Sequence, residues 1–203
     1  MANPDRTDPD DLIPTALILA QRMLARACKM LDTTPNPADA GSACGVLTAV
    51  RTACGEAPAP FDHARLSAVA TSVGEAARCA IDVTGVAPTI VFQPREAPLI
   101  INLLLLAADA AGPHGTARLM TGRPGTVVAT VAGQNATWPA ALPEILFDQS
   151  AAQAALRCPD GWQAATTALL VRAAGGRLTM LLPSGPLAAA SLTPPLLLTL
   201  AAS

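Results

Sequence analysis

The sequence predicts an α+β protein in which an N-terminal helical hairpin precedes an α/β sandwich. Three observations lead there. Two amphipathic segments with a Pro-rich breaker between them fill the first 54 residues, Leu99–Ala111 reads as a helix too apolar for a surface, and later strand-like runs come in pairs. Helices segregated from sequential strand pairs imply one sheet covered by helices.

Leu12–Leu31 reads as the first helix. Ile13, Leu17, Ala20, Leu24, Ala27 and Leu31 fall on one face, which Ala16, Met23 and Met30 widen. The opposite stripe is Asp11, Thr15, Ile18, Arg22, Arg26 and Lys29. The breaker DTTPNP (32–37) leads to a second helix over about Ala38–Cys54, with Ala43, Val46, Leu47, Val50 and Cys54 among its apolar positions. A lone hairpin cannot bury two faces this broad, whereas two hairpins packed together make a four-helix bundle. A homodimer is therefore expected, with a bundle closed by the rest of the same chain as the alternative. The segment GEAPAP (55–60) divides the chain into a hairpin domain, 1–57, and a sandwich domain, 58–203.

Beyond the linker, Asp62 is placed to cap a helix running to about Ala80, with Phe61 and Leu66 as its hydrophobic staple. Thr89–Phe92 is strand-like, and Arg95–Ala111 is the buried helix. Thr116–Thr121 and Thr126–Val131 are strands joined by GRPG. Helices follow over Leu142–Leu156 and Gly161–Ala174, then strands over Arg177–Leu182 and Leu187–Leu192. The helix from Leu99 carries Asn102 and Asp109 and is too short for a membrane, which needs about 20 nearly unbroken apolar residues.

Composition excludes several classes of function. A net charge of −2, a single lysine (Lys29) and no basic run give no footprint for nucleic acid or an anionic membrane. The only aromatics are Phe61, Phe92, Phe147, Trp138 and Trp162, too few for base-stacking platforms. Five cysteines (Cys28, Cys44, Cys54, Cys79, Cys158) form no CxxC-like pair and read as small hydrophobes with reduced thiols. The start MANPDRTDPDDL lacks a basic region ahead of an apolar core, so no signal peptide and a cytoplasmic location are expected. No GxSxG turn supports a hydrolase, and two separated histidines do not make a metal site.

A helical hairpin followed by strand, helix, two strands, two helices and two strands is the layout of histidine kinases. IINLLLLAADA (100–110) is similar to the kinase N-box, and TALLVRAAGGRLTM (167–180) to the kinase segment where a helix enters a Gly-Gly turn and a strand. VRTACGEA (50–57), FDHARLSAVA (61–70) and NLLLLAADAAGPHG (102–115) resemble, in order, landmarks of the ChpT-like histidine phosphotransferases, across about residues 10–192. That resemblance implies a dimerisation hairpin and a histidine-kinase-ATPase-like sandwich that has abandoned ATP. It implies as partners the receiver domains of response regulators, or histidine kinases.

In kinases of this fold a second N-box Asn holds Mg²⁺, an Asp reads adenine, and Gly-rich loops face phosphate. Here the second Asn is matched by Leu106, the adenine box by AGQNA (132–136), and the last glycine loop by PDGWQAATT with one Gly. No cofactor is expected. Asn102 remains, and an Asn on a buried helix reads as a satisfied core amide.

The family passes phosphate through a histidine on its first helix, since a neutral imidazole is nucleophilic near pH 7. DPDDLIPTAL (8–17) places Asp10 or Pro9 there, so no catalytic residue is expected. Asp10 and Asp11 read as helix-capping carboxylates worth about 0.3–1 kcal/mol. His63 and His114 lie outside the hairpin and read as surface residues. Fewer than a dozen residues precede the acceptor position, which suggests a lost upstream segment.

Three functions remain open at this stage. The first is a degenerate phosphorelay protein that docks partners through Asp11, Thr15, Ile18, Arg22 and Arg26, with Ile18 as the apolar anchor. An active phosphotransferase with its histidine elsewhere is the second. The third is a ligand-binding or purely structural dimer whose vacated nucleotide cavity is filled by Leu106 and Trp138 or left as an apolar pocket.

Overall fold

The computed structural model describes residues 40–54, 61–181 and 193–201. The expected first helix and the strand expected at Leu187–Leu192 lie outside them. The helix expected as the second of the hairpin is α1 (Ala40–Ala53). Strand β1 (Phe61–Asp62) leads into α2 (His63–Ala77), followed by β2 (Ala80–Gly85), β3 (Val91–Phe92) and the apolar helix α3 (Ala97–Ala111). Next come β4 (Thr116–Thr121), β5 (Thr126–Ala132), α4 (Leu142–Phe147), α5 (Gln149–Ala155), α6 (Trp162–Ala173), β6 (Arg177–Met180) and β7 (Leu196–Thr199).

Period-two alternation gives the sheet one dry face. β4 buries Ala117 and Leu119, β5 buries Val127, Ala129 and Val131, and β7 buries Leu196 and Leu198. Register aligns them: Ala117 faces Val131, Leu119 faces Ala129, and Ala129 in turn faces Leu196. The five strands run β2-β4-β5-β7-β6, with β2 parallel to β4 and every other pair antiparallel. Helix α3 packs on β4, β5, α1, α2 and α6, so it is the centre of one α+β core. No helix among the described residues is long and apolar enough to cross a membrane.

Local chemistry sets the ends of the elements. Asp62 Oδ1 accepts from the Arg65 N–H at 2.9 Å, capping α2, and the staple residues Phe61 and Leu66 are fully buried. The helix stops at Ala77, short of the expected Ala80. Arg78 turns left-handed at φ 56° and its N–H bonds back to Glu75 O and Gly74 O. The helix expected over Leu142–Leu156 is two helices. Asp148 adopts an extended conformation, ends α4 and caps α5 by accepting from Ser150 N, which leaves Phe147 95% exposed.

Strand β2, absent from the sequence reading, sits at the sheet edge. Its Asp82 accepts from Thr84 N (2.9 Å), the Thr84 hydroxyl (2.6 Å) and Arg118 Nε of β4 (2.7 Å). The Thr84 donors first, and Arg118 after them, hold this carboxyl below its ordinary value. Because the folded value lies below the unfolded one, the contribution to stability is present above about pH 4 and is lost as pH falls through the folded value. Asp82→Asn is expected to flatten the acid limb of a melting-temperature profile below about pH 4. A limb as steep as in the parent would contradict this.

Candidate functional site

Every residue of α3 except Asp109 is buried, so its polar atoms must find partners inside the protein. Asn102, fully buried, does so completely. Its Nδ2 donates to Ala53 O at the end of α1 (2.9 Å) and to Pro98 O one turn back (2.8 Å). Its Oδ1 accepts from Gln163 Nε2 of α6 at 3.1 Å. The Thr167 hydroxyl, one turn further along α6, lies 2.7 Å from Gln163 O and 3.3 Å from Asn102 O. Asn102 is thus the satisfied core amide expected from sequence, with partners on two other helices.

Leu106, one turn along α3, is also fully buried. Mg²⁺ requires near-octahedral oxygen ligands. Leu106 offers none, and the one side-chain oxygen of Asn102 already holds Gln163. The AGQNA segment folds back on its surroundings: Ala136 O accepts from the Thr193 hydroxyl (2.9 Å) and the following Thr137 N–H donates to Ala110 O of α3 (2.9 Å). Trp138 is buried and its indole N–H donates to Pro194 O at 2.6 Å. In PDGWQAATT, Gln163 and Thr167 turn inward to the Asn102 cluster. These residues do not fit a magnesium nucleotide.

The two histidines stand apart from this cluster. His63 is half-buried, its Nδ1 3.4 Å from Ser67 Oγ. His114 is exposed at φ 65°, and its N–H donates to Arg78 O at 2.7 Å. It lines an open groove of about 680 Å³ with Arg78, Glu75, Cys79 and Thr116, away from Leu106 and Trp138. Arg78 follows the C-terminus of α2, where its positive charge complements the helix dipole, a structural role that needs no ligand. Burial, and then the charge of Asp109, push the Cys79 thiol up, so it stays protonated and unreactive.

The positions matched to the acceptor, Asp10 and Pro9, lie outside the described residues, as do Asp11, Thr15, Ile18, Arg22 and Arg26. Cys54, Cys79 and Cys158 are free thiols. Among the described residues no group of three or more His, Cys, Asp or Glu is placed to hold a metal. Sequence reasoning missed Gln163 and Thr167. The available signal was two polar residues four apart within an otherwise Ala-rich helix, the spacing at which side chains share a face.

Helix α1, the five-stranded sheet, the two-stranded pair β1–β3 and the covering helices together make an α+β fold. It is similar over nearly its whole length to a bacterial phosphotransferase solved at 1.7 Å, with TM-score 0.57, 18% identity, and coverage of 97% of this chain and 98% of that one. Two histidine kinases also match. The mycobacterial sensor histidine kinase MprB does so at TM-score 0.43 and 19% identity over 70% of this chain and 95% of that one. The kinase domain of the Erythrobacter litoralis EL346 blue-light activated kinase does so at 0.46 and 14% over 96% and 88%. No protein-family model and no curated protein matches the chain.

Proposed function

We propose that this chain is a ChpT-like histidine phosphotransferase of a bacterial phosphorelay that has lost phosphotransfer and ATP binding and acts by docking. It is a cytoplasmic homodimer with a hairpin domain, 1–57, and a degenerate kinase-ATPase-like sandwich, 58–203. The bundle engages receiver domains or histidine kinases through Asp11, Thr15, Ile18, Arg22 and Arg26. The observation that carries this reading is the end-to-end likeness in fold to a bacterial phosphotransferase, on a chain whose N-box positions are Leu106 and an already bonded Asn102.

The test is incubation with a phosphorylated receiver domain, followed by calorimetry and an assay for acid-labile phosphate. Receiver binding without label is expected, with binding weakened by Ile18→Asp and Arg22→Ala. Label on His63 or His114 would replace docking with active phosphotransfer. Absence of binding to a panel of receivers and kinase domains would leave a structural dimer.

A further inference from the structure

We infer that Asn102 is a polar clamp that fixes helix α1 against the sandwich. The last carbonyls of a helix have no intrahelical donor, and here the final one, Ala53 O, is enclosed in a residue only 2% exposed. The Asn102 amide meets that carbonyl at 2.9 Å, across 49 residues of sequence.

The clamp has a fixed direction because Asn102 cannot rotate freely. One amide hydrogen is held by Pro98 O on its own helix at 2.8 Å, and Oδ1 is held by Gln163 Nε2 at 3.1 Å, so the remaining hydrogen points at Ala53. Flipping the amide would set Oδ1 against two carbonyls and its hydrogens against the Gln163 donor. Gln163 therefore orients the Asn102 amide, and through it a bond made on α6 bears on the position of α1. The apolar contacts of α1, including Val46, Ala49 and Ala53 in the common core, bring the helix onto α2 and α3. A directional bond at its last residue adds a fixed point to that packing. The clamp holds whether or not the chain docks receiver domains.

Hydrogen exchange on the full chain, read by peptide mass spectrometry, tests this. In Asn102→Leu, amides in residues 46–54 are expected to exchange at least about tenfold faster, while those of β4 and β5 keep their parent rates. Gln163→Met should accelerate the same peptide to a smaller degree, again sparing β4 and β5. If Asn102→Leu fails to fold, the Gln163→Met result decides. Unchanged exchange in 46–54, or equal acceleration of β4 and β5, overturns the clamp and leaves Asn102 as one core residue among many.

Discussion

Leu106→Asn lowers the unfolding free energy by about 4 kcal/mol or more and confers no affinity for Mg-ATP; this is the expected result of placing an amide at that position. Leu106 is fully buried in a helix with neighbours on every side. Removing buried leucine packing costs about 2–5 kcal/mol, and an unpaired buried amide adds about 1–3 kcal/mol. The new carboxamide would enter a site in which the Asn102 oxygen already holds Gln163, so one added ligand does not make an octahedral shell. Urea denaturation measures the first effect, and melting temperature with and without Mg-ATP the second. A loss under about 1 kcal/mol, or a nucleotide-dependent rise in melting temperature, would contradict the structure.

Gly115→Ala is the second large effect, expected at about 3 kcal/mol of destabilisation. Gly115 sits where the end of α3 meets the first residues of β2 and β4. Its N–H donates to Gly112 O (3.1 Å) and its carbonyl accepts from Ala80 N–H (2.9 Å). A Cβ there would collide with the Ala111 carbonyl and approach Ala132 O at 3.1 Å. Both are backbone, so no rotamer change relieves the contact. Gly112→Ala isolates backbone strain from steric clash: it has open space around it, but φ 65° with ψ 177° is a region that essentially only glycine adopts, and a cost of about 1–3 kcal/mol is expected. If Gly115→Ala costs less than about 1 kcal/mol under chemical denaturation, the close approach is not what fixes the glycine.

Elements with strict periodicity and a chemical stop were legible in the sequence. α3 runs from just after Glu96 to Gly112, β4 and β5 lie where alternation places them, and the Asp62 cap and Phe61–Leu66 staple are as expected. β2 was not legible because an edge strand with one well-buried residue, Val83, has no alternation to read. β7 escaped for the opposite reason. As an internal strand after two prolines, Leu196–Thr199 is a short run of leucines whose pattern does not distinguish it from a buried helix. The break at Asp148 needed knowledge that its carboxylate would cap the next helix, since neither Gly nor Pro marks it. At the site, Leu106 and Asn102 could be interpreted from the chain alone. Their partner Gln163 lies 61 residues away from Asn102, and only the packing of α6 on α3 brings them together.

The strand order has a consequence for how the chain reaches this state. β7 is the last described strand, yet it lies between β5 and β6. During synthesis β4 and β5 can pair as soon as they emerge, since only four residues separate them. Among the described strands, β6 then has no neighbour in the sheet until Leu196–Thr199 leaves the ribosome and slots in beside it. The sheet is thus completed from its interior, by its latest strand, and β5 presents an open edge until that moment.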